Sequence, residues 1–156
     1  MSEVSIASRT LAYDELPGCV GEQFGPTPWT PVTQPQVAGF ADLTHDHQWI
    51  HVDEERAKAG PFGATIAHGY LTLSLVPFFL GQLFEVSGIR MAVNYGLEKV
   101  RFPAPVPVGS RVRATAEVVD VQARAGTTQL TARVSVECDA AGKPVCVADV
   151  VILFVG

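Results

Sequence analysis

The amino-acid sequence predicts an α+β fold in which an antiparallel β-sheet packs against one long central helix. The segment from Gly63 to Phe84 contains no Asp, Glu, Lys or Arg, which predicts a buried helix from about Ala67 to Phe84. Beyond Gly88 the hydrophobic period changes from helical to alternating, which predicts four long strands. The turns between these strands are short, and parallel neighbours would need longer crossovers. A helix lying across one face of a curled antiparallel sheet would bury both apolar surfaces.

The elements before the long helix are expected to be short. Residues 16–36 are rich in proline and glycine and should be mostly irregular. Thr33 can cap a helix that extends to about Leu43, and Asp53 can cap a second helix over Glu54–Ala59. The histidine-rich segment that lies between them is therefore held by two short helices.

Three positions are expected to disturb the longer elements. Pro77 removes a hydrogen bond inside the long helix, so the helix either kinks at Pro77 or breaks near Val76, and both remain open. A strand irregularity is expected near Gly96, and a bulge is expected near Val118, where the alternation changes phase. The last strand, Val145–Val155, is apolar on both faces except at Asp149, as in a central or interface strand.

Composition limits the kind of protein. The 156 residues fit a single domain, 1–156, and the net charge of −5 argues against a nucleic-acid partner. The three cysteines form no C-x-x-C pair and indicate free thiols in a reducing cytoplasm. The N-terminus lacks the features of a secretion signal. We expect no membrane span, because the uncharged segment carries several polar residues and no flanking basic cluster.

The most informative segment contains three of the four histidines, at positions 45, 47 and 51. Asp46 and His51 are five residues apart and would diverge by about 140° on a helix, so they can act as an acid/base pair only if the chain turns. His47 and His51 would share a helical face, and with His45 and Asp53 they form an alternative metal site. The histidines could also be surface and capping residues without function. The spacing alone leaves these three interpretations open.

The same segment resembles the hydratase signature of the MaoC-like (R)-specific enoyl-CoA hydratases. That signature reads Phe-Ala-x-Leu-Thr-Gly-Asp-x-Asn-Pro-x-His, with Asp and His five apart as here. The matching stretches are Phe40-Ala41-Asp42-Leu43-Thr44 with Asp46 and His51, the run from Gly60 to Gly69, and the run from Phe102 to Gly109. The sequence departs from the signature at His45, which replaces Gly, and at Gln48-Trp49, which replace Asn-Pro.

This resemblance implies the hot-dog fold and the reversible hydration of a trans-2-enoyl-CoA to an (R)-3-hydroxyacyl-CoA. It implies that Asp46 and His51 hold the reacting water and that the backbone amide of Gly69 binds the thioester oxygen. We expect Gln48 and Asn94 to contact the substrate. His68 is a further candidate for such a contact, and the alternative for it is a local bond that fixes the turn before Gly69. No metal, cofactor or membrane is expected to take part, and the partners expected are the acyl-CoA substrate and a second copy of the chain in a homodimer.

Two other functions remain open for such a fold. A hot-dog thioesterase would act on the same class of ligand, but it usually presents a carboxylate from the long helix, and Gly63–Phe84 has none. A non-catalytic acyl-CoA-binding subunit would require a partner chain for turnover. Release of free coenzyme A would indicate a thioesterase. Tight binding of acyl-CoA without turnover would indicate a non-catalytic subunit.

Overall fold

The computed structural model describes residues 9–156, so the N-terminal residues that bear on the secretion-signal prediction lie outside it. A 3-10 helix spans Tyr13–Cys19, and the α-helices are α1 (Gln34–Thr44), α2 (Trp49–Val52), α3 (Glu54–Lys58), α4 (Gly69–Ser74) and α5 (Val76–Leu83). The strands are β1 (Arg9–Ala12), β2 (Gln23–Phe24), β3 (Thr30–Pro31), β4 (Phe84–Ser87), β5 (Met91–Arg101), β6 (Arg111–Arg124), β7 (Thr127–Cys138) and β8 (Cys146–Val155).

The main sheet is antiparallel and has the strand order β2-β6-β7-β8-β5, with β3 pairing beside β2 on β6. Alternate residues of β6 and β7 are buried, and they form one core with α5. Phe79 at the centre of α5 is fully buried. The predicted α+β architecture, with a helix across one sheet face, is therefore confirmed.

The central helix is interrupted rather than continuous. It ends at Ser74 and begins again at Val76, so the break near Val76 is correct and the kink at Pro77 is not. Pro77 lies in the first turn of α5, where its missing N–H costs no helical hydrogen bond. Leu75 bridges the two segments, since its N–H bonds to the carbonyl of Leu71 at 3.1 Å and its carbonyl accepts from Phe79 at 3.1 Å.

Most of the local predictions hold, and several short elements are new, among them the 3-10 helix and the strands β1 to β4. Thr33 and Asp53 cap α1 and α3, and the register of β5 and β6 shifts beside Gly96 and Val118, as expected. The helix does not include Phe84, however, which begins β4. That strand pairs in parallel with β1, and the sequence analysis predicted neither strand.

The exposed apolar strand is β5, and the last strand, β8, is the central strand that its two apolar faces predict. β8 lies inside the sheet between β7 and β5, and its side chains are buried or half-buried. Within the described residues, β5 pairs only with β8, and Met91, Val93, Tyr95 and Leu97 are all exposed. No helix of residues 9–156 is long and apolar enough to cross a membrane.

Candidate active site

Asp46 stands just beyond the C-terminus of α1. That helix begins with a capping box, in which Thr33 and Gln36 satisfy each other's backbone N–H groups, and it ends at Thr44. His45 then adopts a left-handed backbone conformation, with φ of 62°. Glycine favours this conformation, which explains the glycine of the signature at this place. The chain therefore turns sharply immediately before Asp46.

His51 is positioned by the short helix α2. Gln48 precedes this helix, and its carbonyl accepts a hydrogen bond from the His51 N–H at 3.0 Å. The Nδ1 of His51 lies 2.7 Å from the backbone carbonyl of Ile66, which can only accept, so Nδ1 carries the hydrogen. The side-chain amide of Gln34 donates to the His51 carbonyl at 2.8 Å. His51 is thereby fixed with the lone pair on Nε2.

Burial is the main influence on the protonation of His51. The residue is buried, and desolvation lowers its pKa below the ordinary 6.5. The hydrogen bond to Ile66 and the charge of Asp46 act in the opposite direction, while His68 lowers the pKa further. Near neutral pH the ring is therefore neutral, and its Nε2 can accept a proton.

The structure brings Asp46 and His51 together, and it adds His68 to them. One side-chain oxygen or nitrogen of each of these three residues lies within 4.8 Å of those of the other two. A water that makes hydrogen bonds of about 2.8 Å can bridge two groups at this separation. The turn at Gln48-Trp49 that the acid/base interpretation requires is present, because α2 begins at Trp49.

His68 packs against His51 instead of projecting into an open cavity. The two rings are stacked, with their centroids 3.7 Å apart and their planes inclined by 21°. The Nε2 of His68 lies 3.0 Å from the backbone carbonyl of Asp46 and 3.9 Å from its carboxylate. With 3% of its surface exposed, His68 belongs to the wall of the site.

Gly69 is the first residue of α4, where helix geometry leaves the backbone N–H without an acceptor inside the helix. A Cβ at this position would lie 2.8 Å from the ring of Phe102. Any larger residue would therefore displace Phe102 or the start of the helix. The missing side chain has a packing function whether or not the amide binds a substrate.

The geometry does not favour the metal alternative. His47 lies outside the cluster and pairs with Asp42 at 2.8 Å. His51 and His68 are inside it, but metal ligation needs the in-plane lone pair of each ring, and stacked planes do not direct two such lone pairs at one ion. The Nε2 of His68 also donates to the Asp46 carbonyl. The cluster is better suited to a water than to a metal ion.

Two apolar cavities flank the broken helix. One of about 320 Å³ is lined by residues that include Gly69, Ile66 and Phe102. The other, of about 290 Å³, lies between the helices and the strands β5 and β8, and its lining residues are Leu73, Ser74, Val76, Pro77, Leu80, Asn94, Gly96, Leu97, Val150 and Val151. Asn94 therefore lines a cavity, and its contact with a substrate stays a prediction. Gln48 is exposed and does not line either of these cavities.

Sequence reasoning missed the residues that support the site. The side chain of Gln34 links the backbone of His51 to Thr65. The Thr65 hydroxyl donates to the side-chain oxygen Oε1 of Gln34 at 2.5 Å. Gln34 and Thr65 are 31 positions apart in the sequence, so no local pattern identifies them as partners. The sequence offers one weak signal, a threonine at position 65 within the uncharged segment, whereas the burial of Thr65 is visible only in the structure.

The architecture is a hot-dog fold with an aspartate and a histidine at the tip of its central helix. A family model described as "MaoC like domain" matches residues 16–140, and the chain belongs to that family. It is 54% identical to the 3-hydroxyacyl-thioester dehydratase Z of Mycobacterium tuberculosis over 90% of this chain and 94% of that protein. It is 40% identical to nodulation protein N of Rhizobium leguminosarum over 89% of this chain and 88% of that protein.

Among solved structures, the chain resembles the (R)-hydratase from A. caviae that is involved in PHA biosynthesis. The TM-score is 0.67 at 28% identity, and the match covers 85% of this chain and 94% of that one. The similarity thus extends over nearly the whole of both folds.

Proposed function

We propose that this protein catalyses the reversible hydration of trans-2-enoyl-CoA to (R)-3-hydroxyacyl-CoA. The observation that carries this proposal is the convergence of the Asp46 carboxylate and the neutral His51 imidazole beside the start of α4. The dehydratase and hydratase names of the similar proteins support the same reaction class. The reaction involves no change of oxidation state, and the proposed mechanism uses the two side chains and a water without a metal or an organic cofactor.

The two side chains have different roles in this mechanism. A water held between them donates one hydrogen bond to the Asp46 carboxylate and the other to Nε2 of His51. As the water oxygen bonds to C3 of the enoyl group, Nε2 accepts its proton and Asp46 stabilises the resulting imidazolium. The imidazolium then returns the proton to C2, which completes the addition of water. Dehydration follows the same steps in reverse.

The thioester oxygen gains negative charge when the C2–C3 double bond is attacked. The backbone N–H of Gly69 can donate to this enolate oxygen, and the positive end of the helix dipole favours the charge. One such donor contributes roughly 3 kcal/mol to the stabilisation of the transition state. The amide lies near the catalytic pair in space, because His68 directly precedes Gly69 and contacts both Asp46 and His51.

The 290 Å³ cavity is the better candidate for the acyl chain. Its apolar wall suits a hydrocarbon, since leucine and valine side chains from the helices and from β8 provide half of the residues that line it. Three of its lining residues, Asn94, Gly96 and Leu97, belong to the exposed strand β5. We infer that a second copy of the chain covers β5 and completes this wall in a homodimer.

A hydration assay with crotonyl-CoA tests the proposal. We expect Asp46→Asn and His51→Gln each to lower kcat by roughly 100-fold or more while the proteins remain folded, because each removes one partner of the water. His47→Gln is the matched control. It changes a histidine of the same segment that is bound to Asp42 outside the cluster, and it should leave the activity unchanged.

The assay also separates the alternative functions. Loss of the enoyl absorbance with formation of the (R)-3-hydroxy product is the expected result. Release of free coenzyme A without hydration would identify a thioesterase. Activity near that of the wild type in both Asp46→Asn and His51→Gln would refute the proposed site.

A further inference from the structure

We propose that His68 is a positioning residue that keeps the Asp46 carboxylate close to the His51 side chain. This inference rests on the proposed function, because it assigns the support of the same catalytic pair. His68 lies directly before Gly69, so the same residue connects the turn that carries Asp46 to the start of α4. It acts through Asp46 and is not assigned any contact with the substrate.

Asp46 has little other support. Its side chain is 54% exposed, and within residues 9–156 its carboxylate accepts a single long hydrogen bond of 3.4 Å, from the N–H of Gln48 in the same turn. Within the described residues, Asp46 is tied to a distant part of the chain by the hydrogen bond of 3.0 Å that His68 Nε2 donates to its backbone carbonyl. Without this bond the turn after His45 could move and carry the carboxylate away from His51.

His51, in contrast, is held independently of His68. Its Nδ1 binds Ile66, its N–H binds Gln48, and its carbonyl accepts from the side chain of Gln34. Loss of the hydrogen bond from His68 should therefore displace Asp46 and leave the His51 backbone in place. This difference makes the positioning function separable from a general structural role.

The environment of the His68 ring shows which of its atoms matter. The ring lies between Phe40, whose centroid is 5.0 Å away, and His51, on which it stacks at 3.7 Å. Its Nδ1 is buried and meets no hydrogen-bond partner among the described residues. Burying a ring with one unpartnered nitrogen costs free energy, so the hydrogen bond of the other nitrogen has to offset this cost. Here the other nitrogen, Nε2, is the one that holds Asp46.

Two substitutions separate the ring from its hydrogen bond. His68→Phe keeps a flat ring against His51 but removes the donor, and we expect kcat to fall roughly 10- to 100-fold with KM within about threefold of the wild type. His68→Gln keeps an N–H donor for the Asp46 carbonyl, and it should recover part of that loss. Thermal unfolding of both variants shows that the compared proteins are folded.

A double-mutant cycle distinguishes positioning from independent damage. In the Asp46→Asn background, His68→Phe should cause little further loss, because the carboxylate that it positions is already absent. An equal loss in both backgrounds would overturn the proposal. So would a His68→Phe variant with wild-type kcat, or a His68→Gln variant that is no better than His68→Phe. If Asp46→Asn itself is fully active, the proposed function fails instead, and the two failures are thus distinguishable.

The wild-type protein offers a test without any substitution in the site. The hydrogen-bond acceptors require opposite tautomers of the stacked rings, with the hydrogen on Nδ1 in His51 and on Nε2 in His68. Nitrogen NMR of the imidazoles at neutral pH should show these two tautomers. A His68 ring with its hydrogen on Nδ1 could not donate to Asp46 and would contradict the proposal, even if the variants failed to fold.

Discussion

His51 combines two properties that a proton acceptor near neutral pH needs, a fixed tautomer and a neutral ring. The bond from Nδ1 to Ile66 directs the lone pair of Nε2 away from that carbonyl. Burial holds the pKa of His51 below 6.5, and this effect exceeds the opposing ones of the Ile66 bond and the Asp46 charge. The proposed base is therefore ready to accept a proton without a prior deprotonation.

The lowered pKa predicts how activity depends on pH. Because neutral His51 is the active form, kcat/KM should be retained as the pH falls to 6.5 and be lost only at lower pH, as the ring becomes protonated. The pH profile of kcat/KM and an NMR titration of the His51 ring should give the same midpoint, below 6.5. A midpoint at or above 6.5 in both measurements would contradict a neutral, desolvated His51.

Among the helices, the start of α4 is tightly constrained by packing. A methyl group at Gly69 would meet the Phe102 ring at 2.8 Å, whereas a methyl group at Gly81 in α5 would meet no atom within 4 Å. Two glycines of the same broken helix therefore have opposite requirements. This contrast provides a matched pair of substitutions.

We predict that Gly69→Ala lowers both stability and activity. Overpacking against Phe102 should cost about 1–3 kcal/mol in the free energy of unfolding, and displacement of the amide should lower kcat at least tenfold. Gly81→Ala should instead stabilise the protein by about 0.5–1 kcal/mol with unchanged kcat. Denaturant unfolding and the hydration assay measure both effects. Equal changes of the unfolding free energy and of kcat in the two variants would show that the contact of Gly69 with Phe102 does not restrict this position.

The elements also show what a single sequence can predict. The caps at Thr33 and Asp53 and the bulge near Val118 depend on adjacent residues, and the sequence predicts all three. The parallel pair of β1 and β4 joins residues about 75 positions apart, so local periodicity contains no signal for it. The site divides in the same way, because the Asp46–His51 spacing is local whereas the contacts of His68 and Gln34 are made across the fold.

In the molecule as a whole, β5 is far more exposed to solvent than the other long strands of the sheet. Its large apolar side chains are exposed on both faces, with Tyr95 66% and Met91 55% exposed, and its outer edge is unpaired within residues 9–156. An edge strand of eleven residues with several exposed large apolar side chains is an aggregation hazard unless another chain covers it. A second copy related by a twofold axis would cover the edge in a closed assembly.

We therefore predict that the protein is a dimer of 16.6 kDa chains and that β5 forms the contact. Replacing both Tyr95 and Leu97 by lysine should produce a monomer in sedimentation analysis, because a twofold interface brings each introduced charge in twice. Activity should fall at least tenfold in the same variant, because Leu97 lines the proposed acyl cavity and the partner supports that wall. Val20→Lys changes an exposed apolar residue outside β5 and should leave both properties intact. A wild-type chain that sediments as a monomer, or a doubly substituted chain that remains a dimer, would show that β5 is not the contact.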